Sequence, residues 1–390
     1  HRRNLLIGVV ASIAALVATT SYIQLQASKS WRDMVALGQD LREQWLQRPQ
    51  ARLPLWGEAT DESAFEHYRR AAELIKPLDD QRKTLGKMLR DSDAEIALRC
   101  MDLRAAWRPS LSAMRLGAHS LRALDLTATS PGEGVYPLIH YRSVSNAAAL
   151  EARILRHEGD LAGSIRLTLD TMAMASDIFH SGVLINQMIG IALLEIAMSS
   201  WPDAALANLK EHDADRLASG LARLDARMPP RMLTNRETVF MTEAMQMAPS
   251  QGEWPGMTGW RYGFSGRWMM AEAVLMTARN FERLEQISDC DWPTRKALFE
   301  QILAEVCATE NSAAQCMFPN LVHAESSIRR TVGNLRLLRM ALDMHRQKAR
   351  EPLSDPFSSG ALLVEKAGDS TLIKSIGPHG ARKLERLVTL

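Results

Sequence analysis

The sequence predicts an all-α fold with a single transmembrane helix at the N-terminus and a small β-hairpin at the C-terminus. Three observations lead to this class: a long apolar run follows the first arginines, apolar residues recur at helical spacing through most of the chain, and the residue pattern changes after Pro352. The predicted divisions are a signal anchor at 1–27, an N-terminal helical region at 28–136, a stack of helical hairpins at 137–349 and a β-like tail at 350–390.

The hairpin stack is predicted from a helix pair in the middle of the chain. Ala147, Leu150 and Ile154 recur on one helical face. They are followed by Gly159, a residue that readily adopts the left-handed conformation that ends a helix. Asp160 then stands at the N-cap position, where its carboxylate accepts free amide N–H groups of the next helix. This corner is typical of tetratricopeptide (TPR) hairpins, but no second copy follows at a fixed period, so the sequence predicts an irregular TPR-like stack.

A third apolar segment, Val183–Met198, is predicted to be a helix in the middle of the stack, because it is apolar on nearly all sides. Three polar residues, Asn186, Gln187 and Glu195, interrupt it, and Pro202 follows it. These interruptions argue against a second membrane span.

The N-terminal apolar run predicts an uncleaved signal anchor. Leu5–Val17, extended by Ala18–Ile23, is about long enough for one bilayer crossing. Arg2 and Arg3 precede the run, so the positive-inside rule predicts a cytoplasmic N-terminus, with the body of the chain on the opposite side of the membrane. A cleaved signal peptide is the alternative, but the region lacks a clean A-x-A cleavage site.

Small residues along this run predict that the membrane helix packs on neighbouring helices. Gly8 and Ser12, and likewise Ala11 and Ala15, have the small-xxx-small spacing that lets transmembrane helices approach closely. The expected partners are the lipid bilayer and other membrane-protein subunits.

The least regular stretch, Ser250–Trp268, combines aromatic residues with glycines and two arginines. Its predicted partner-binding residues are Trp254, Trp260, Tyr262, Phe264 and Trp268. Aromatic rings beside arginine are suited to bind a partner chain or sugar rings. The alternative is a long loop whose aromatic side chains fill the helical stack or rest on the membrane surface.

Charge and motifs argue against several functions. The chain has 47 Lys+Arg against 45 Asp+Glu, so it lacks the basic excess of a nucleic-acid binder. The sequence contains no phosphate-loop, dinucleotide-binding, zinc-protease or hydrolase motif, so no catalytic residue, metal or cofactor is predicted. His212, in an acidic stretch, is predicted to lie at a solvated helix start rather than to bind a metal.

The four cysteines do not form a zinc motif. Cys290, Cys307 and Cys316 fall in one region, apart from Cys100. One disulfide with a thiol left over and a set of buried free thiols are both compatible with this spacing, so the pairing stays open.

Three glutamates near the aromatic stretch are the basis of an alternative, catalytic function: Glu272, Glu282 and Glu285. A periplasmic helical protein with an aromatic groove and a buried acid would suit a reaction like that of a lytic transglycosylase. A closed pocket with a buried acid would favour this enzyme, whereas an exposed aromatic surface would favour a scaffold.

After Pro352 the sequence predicts a turn at Asp355–Gly360 and two short strands, Ala361–Glu365 and Thr371–Ile376. Together with the helix pair and a long helix predicted at Ser326–Ala349, this order of parts resembles an uncharacterised family of membrane-anchored bacterial proteins, abundant in planctomycetes and their relatives. The resemblance runs from about Ile139 to Gly380 and implies no known activity.

The tail is also similar to the C-terminal hairpin of type II secretion major pseudopilins, in which acidic loop residues hold calcium. Here His379 stands where an aspartate is usual, so a calcium site is not predicted. The glutamate found just inside the apolar run of pseudopilins is also missing, so the chain is not predicted to be a pilin.

These observations predict a non-catalytic, membrane-anchored scaffold or accessory subunit whose periplasmic helical body docks partners in a larger bacterial assembly. The cell-wall-acting enzyme and a secretion or pilus accessory protein are the alternatives.

Overall fold

A computed structural model describes residues 2–46, 54–122, 136–251, 264–317, 321–346, 352–367, 370–375, 377 and 384–389. At some of these positions, including 2–15 and 264–267, the backbone alone is described. Helices account for 76% of the structure, and a small antiparallel sheet lies at the C-terminus, so the predicted all-α class with a small β element is confirmed.

The described residues form fifteen α-helices and five short strands. The helices are α1 (Arg2–Leu46), α2 (Ala64–Ile75), α3 (Arg82–Met88), α4 (Asp93–Arg99), α5 (Arg104–His119), α6 (Tyr136–His157), α7 (Leu161–Ser181), α8 (Leu184–Ser199), α9 (Asp203–Ala207), α10 (Glu211–Arg227), α11 (Asn235–Gln251), α12 (Phe264–Gln286), α13 (Trp292–Cys307), α14 (Ser312–Met317) and α15 (Leu321–His345). The strands are β1 (Thr60–Ser63), β2 (Ser120–Arg122), β3 (Leu363–Ala367), β4 (Ser370–Lys374) and β5 (Glu385–Thr389).

The chain divides into two compact units. The first unit consists of His1–Arg48, Thr234–Ile287 and Ala297–Leu321, and the second of Pro49–Leu233, Ser288–Lys296 and Val322–Leu390. Each unit combines segments that are far apart in sequence. The predicted division into four consecutive regions stays a prediction.

In the first unit, α1 packs against both α11 and α12. The Ser30 hydroxyl donates a hydrogen bond to the Glu272 carboxylate, with 2.5 Å between the oxygens. Gly38 lies so close to α11 that a Cβ there would stand 2.3 Å from the Thr242 hydroxyl oxygen. The missing side chain therefore permits the close approach of these two helices.

The direction of the three helices follows from one more contact. The Thr234 hydroxyl, just before α11, donates to the Glu285 carboxylate near the end of α12, at 2.8 Å. Combined with the two contacts of α1, this pairing makes α12 run in the direction of α1 and α11 in the opposite direction. The end of α11 and the start of α12 therefore lie toward the N-terminal part of α1.

In the second unit, the predicted helix pair is confirmed as α6 and α7. Gly159 has a φ of +87°, the left-handed conformation expected at the corner. The Asp160 carboxylate accepts a hydrogen bond from the Gly163 amide at 2.8 Å, which caps α7 as predicted. Helix α6 begins earlier than predicted, at Tyr136.

Helix α8 packs closely on α7 but is not buried on all sides. A Cβ at Gly190 would stand 2.7 Å from the Phe179 amide nitrogen, so the two helices touch through their backbones. The buried Gln187 amide both donates to the Leu233 carbonyl and accepts from the Leu233 amide, at 2.7 and 2.9 Å. Because Ile185 is 45% exposed, the prediction of a helix surrounded by the stack holds for one face of α8 and is wrong for the other.

A charged cluster lies in the core of the second unit. Arg295 forms a two-pronged ion pair with Glu325 at 2.6 and 2.7 Å, and both side chains are almost fully buried. Arg329 donates to the same carboxylate at 2.9 Å and lies over the Trp292 ring. Burial lowers the pKa of Arg329. The cluster joins the first turn of α13 to α15, a connection that sequence periodicity does not indicate.

The C-terminal sheet has the order β3-β4-β5, with both pairs antiparallel. The predicted hairpin is present as β3 and β4, and β5 is a third strand that was not predicted. Ile373 and Val388 are fully buried, and Leu384 stands 2.7 Å from where a Cβ of Gly333 would lie. The sheet thus packs on α15. A second small sheet, the parallel pair β1 and β2, was also not predicted.

The N-terminal apolar run, which was predicted to cross a membrane, is part of the helix α1. In the part of the chain that the structure describes, no helix combines the length and the apolar character needed to cross a membrane. The bilayer crossing therefore stays a prediction.

The structure shows the state of three of the four cysteines. Cys100 is a buried free thiol, whereas Cys290 and Cys307 are exposed free thiols, so the interpretation as buried thiols is wrong for these two. Burial raises the pKa of the Cys100 thiol. The side chain of Cys316 lies outside the described residues.

Candidate functional site

A cleft of about 470 Å³ opens on the second unit. Its walls are the end of α8, the turn between α8 and α9, the middle of α15 and the strand β5. Three carboxylates and one guanidinium line it, from Glu195, Asp203, Glu385 and Arg386. Apolar side chains, among them Leu387, complete the lining. The cleft therefore combines net negative charge with apolar surface.

Glu195 is held in place by α15 and remains exposed. The Thr331 hydroxyl and the Asn334 amide both donate to its Oε1, at 2.9 and 3.3 Å. Its side chain is accessible to solvent. These two neutral donors fix the orientation of the carboxylate without neutralising its charge.

Arg386 fastens β5 to the turn between α8 and α9. Its guanidinium forms an ion pair with Asp203 and donates to the Trp201 carbonyl oxygen at 3.0 Å. The Trp201 indole is buried and donates to the Thr168 hydroxyl at 2.9 Å. This wall of the cleft is thus anchored in the core through Trp201, while Arg386 and Asp203 offset each other's charge.

A second polar cluster, around Asp170, connects the chain before β1 to α5 and α7. The Asp170 carboxylate is 1% exposed and accepts from the Trp56 indole at 2.6 Å and from Arg115 at 3.1 Å. His119 contacts it through Nε2 at 3.1 Å and the Glu58 carbonyl oxygen through Nδ1 at 3.0 Å. Both oxygens can only accept, so His119 satisfies both when it is the doubly protonated imidazolium.

The hydrogen bond to Asp170 raises the pKa of His119. Because every polar atom of this cluster that is named above already has a partner within the protein, we assign the cluster to stability rather than to catalysis. Within the described ranges, no group of three or more His, Cys, Asp or Glu side chains is arranged to hold a metal ion.

Most of the predicted aromatic site lies outside the described residues. This applies to Trp254, Trp260 and Tyr262. Phe264 is the first residue of α12, where the backbone alone is described, and Trp268 lies one turn further along α12 and is partly exposed. Their role in partner binding stays a prediction.

The predicted membrane-packing residues Gly8, Ala11, Ser12 and Ala15 lie in α1, at positions where the backbone alone is described. In the following part of the helix, where side chains are described, polar residues alternate with large exposed apolar ones. The exposed fractions are 69% for Leu16, 58% for Val17, 60% for Tyr22 and 64% for Leu25. Among the side chains of α1 that are described, which begin at Leu16, the first buried one is Ala27, at 3%.

Two of the glutamates considered for catalysis are engaged within the first unit. Glu272 accepts from Ser30, and Glu285 accepts from Thr234. The third, Glu282, is exposed. None of the three lines the cleft described above.

Sequence reasoning detected part of the cleft. Glu195 stood out because it interrupts an apolar segment, but it was used there only to argue against a membrane span. The contributions of Asp203, Glu385 and Arg386 were missed. A charged residue in a short strand is ordinarily solvated, and nothing in the local pattern indicates that β5 lies beside the turn before α9.

In comparisons with known proteins, no family model, no curated protein and no solved structure matches the chain.

Proposed function

We propose that the chain is a non-catalytic, membrane-anchored docking subunit, with α1 as its anchor and the helical body on the periplasmic side of a bacterial inner membrane. The observation that carries the proposal is the exposed apolar surface of α1. Leu16 and Val17 are the last two residues of the apolar run Leu5–Val17, Leu25 lies about two turns further along the helix, and each of the three is more than half exposed. An apolar surface left in water is unfavourable, so a bilayer is a natural environment for it.

The length of α1 supports the same proposal. The helix has 45 residues and is therefore about 68 Å long. A bilayer core of about 30 Å needs roughly 20 residues, which leaves the second half of the helix for packing on α11 and α12. The burial of Ala27, the first buried residue among the described side chains from Leu16 onward, agrees with this division.

Docking through the aromatic stretch is the second part of the proposal. The two helix ends that flank the stretch, Gln251 and Phe264, lie toward the N-terminal part of α1. Aromatic and arginine side chains at that end would meet partner subunits near the membrane surface, where amphipathic rings are favoured. The family resemblance described above is part of the same proposal.

The catalytic alternative has less support. Glu272 and Glu285 are engaged in hydrogen bonds with Ser30 and Thr234, so neither is positioned as a buried acid of a closed pocket. The secretion accessory alternative rests on the tail alone.

The anchor is tested by flotation of the full chain with vesicles of phosphatidylethanolamine and phosphatidylglycerol. The double variant Leu16→Glu, Val17→Glu places two charges on the exposed apolar surface, each costing about 2–3 kcal/mol within a bilayer. We expect the wild-type chain to float with the vesicles and this variant to remain largely at the bottom of the gradient.

The matched control is Gln39→Glu, Gln44→Glu, which adds two charges at exposed positions in the packed half of α1. It should float like the wild type. Equal flotation of both variants, or a wild-type chain that does not float, would contradict the anchor.

A further inference from the structure

The strand β5 presents an edge with outward-facing backbone groups beside the cleft. The Ser375 amide donates to the Leu384 carbonyl at 2.9 Å, which sets the phase of the hydrogen bonds between β4 and β5. In an antiparallel pair these groups alternate between facing the partner strand and facing away. The N–H and C=O of Arg386 therefore face β4, and those of Glu385 and Leu387 face outward.

This outer edge has no strand partner in the described part of the chain. β5 is the last strand of the sheet order, and no backbone hydrogen bond to the outer side of Glu385 or Leu387 is present among the described residues. An unpaired edge is a template on which an extended segment of another chain can form a further strand.

The cleft along this edge carries unbalanced negative charge. Asp203 and Arg386 form an ion pair with each other. Glu195 is bound by two neutral donors, and neither it nor Glu385 has a cationic partner among the described residues. With respect to the described residues, two carboxylates are therefore available for a positively charged group that enters the cleft.

The same edge offers apolar surface. Leu387 is 51% exposed and lines the cleft together with Met198 and Leu337. A ligand that complements both features has basic and apolar side chains along an extended backbone.

We propose that the cleft binds an extended, basic segment of a partner protein, which adds as a strand to the outer edge of β5 and places a lysine or arginine side chain between Glu195 and Glu385. This inference names the partner chemistry of the docking role proposed above and rests on that role. The outward backbone groups provide affinity for any extended chain, and the two carboxylates select a basic one.

The charge part is tested with the full-length chain in mild detergent and a fluorescein-labelled peptide of alternating lysine and valine, followed by fluorescence anisotropy. The double variant Glu195→Gln, Glu385→Gln keeps the side-chain shapes and removes both charges. We expect its affinity for the peptide to fall by roughly tenfold or more. A peptide with glutamate in place of lysine should not bind the wild-type chain.

The matched control is Glu66→Gln, an exposed glutamate on α2 of the same unit that does not line the cleft. It should bind the basic peptide like the wild type. Equal affinities of all three proteins, or equal binding of the acidic peptide, would overturn the proposed charge recognition.

The strand-addition part is tested at Leu387. Leu387→Pro removes the outward N–H, which takes no part in the ladder with β4, and proline is tolerated at such edge positions. Leu387→Ala shortens the side chain and keeps the N–H. We expect the proline variant to bind the peptide at least about fivefold more weakly than the alanine variant, as expected for one lost hydrogen bond.

Equal affinities of these two variants, both with the wild-type circular dichroism spectrum, would overturn strand addition. The peptide-binding measurements are made in detergent and do not require membrane anchoring. A chain that fails to float with vesicles would therefore contradict the anchor alone, and a chain that fails to bind the peptide would contradict the binding site alone.

Discussion

At the scale of single residues, roles that depend on sequence neighbours were predicted, whereas roles that depend on residues far away in the chain were not. Gly159 and Asp160 act on their immediate neighbours, and both roles were predicted from the sequence. Asp170 has partners in the chain before β1 and in α5, one of them 114 residues away. No local pattern indicates such a partner, so neither His119 nor Asp170 stood out in the sequence.

His119 should make the stability of the second unit depend on pH. Its pKa is raised in the folded protein by the hydrogen bond to Asp170. A raised pKa contributes stability fully below the unfolded value, about 6.5, and this contribution is lost as the pH rises through the folded value. We expect His119→Gln to lower the free energy of unfolding by about 1–3 kcal/mol at acidic pH.

The difference in the free energy of unfolding between the wild type and His119→Gln should shrink as the pH rises through the raised pKa of folded His119. Urea unfolding at a series of pH values, followed by circular dichroism, measures the free energy of unfolding of both proteins. A difference that is constant with pH, or that grows at alkaline pH, would contradict the charged form of His119.

At the scale of elements, helices were predicted well and their exact environment was not. The helices α7 and α8 and the end of α6 follow the predicted segments closely, because apolar spacing and caps are local signals, whereas the start of α6 was predicted too late. Strand β5 was missed, because no local pattern indicates that Glu385–Thr389 pairs with β4. The exposed face of α8 was also missed, because an apolar residue does not by itself tell whether another element covers it.

The contact between α7 and α8 predicts the effect of adding one methyl group. In Gly190→Ala the new Cβ would lie 2.7–2.8 Å from backbone atoms of Phe179 and Ala175, which are unable to move independently of α7. We expect a loss of about 1–3 kcal/mol in the free energy of unfolding.

Gly86→Ala is the matched control for this substitution. Gly86 lies in α3 with its nearest neighbour, the Asn146 side chain, 3.7 Å from the new Cβ. Alanine is the better helix former, so we expect a gain of about 0.5–1 kcal/mol. Chemical denaturation of both variants measures the contrast, and a neutral Gly190→Ala would show that the two helices are further apart than described.

At the scale of the whole molecule, α1 has two different parts. From Leu16 to Tyr22 the described side chains are exposed, whereas Ala27, Ser30 and Met34 are buried against the rest of the first unit. One continuous helix thus belongs to a folded unit over one part of its length and presents apolar surface over another.

Removal of residues 1–22 should therefore separate folding from membrane association. We expect the shortened chain to keep the thermal unfolding midpoint of the full chain in detergent and to lose flotation with vesicles. Removal of residues 1–38, which also takes away Ala27, Ser30 and Met34, should destabilise the first unit as well. A fall of the midpoint in the shorter deletion would mean that the exposed part of α1 contributes to folding.

The sequence by itself determined the helical class, the central hairpin with its Gly159 corner and Asp160 cap, and the β character of the tail. These features depend on residues within a few positions of one another, so their physical causes are visible in the chain order. The tertiary structure alone decided the cleft, because its walls come from segments as far apart as the 183 residues between Asp203 and Arg386. It also decided which carboxylates are neutralised and which remain available, since the charge balance of a site depends on neighbours in space and not in sequence.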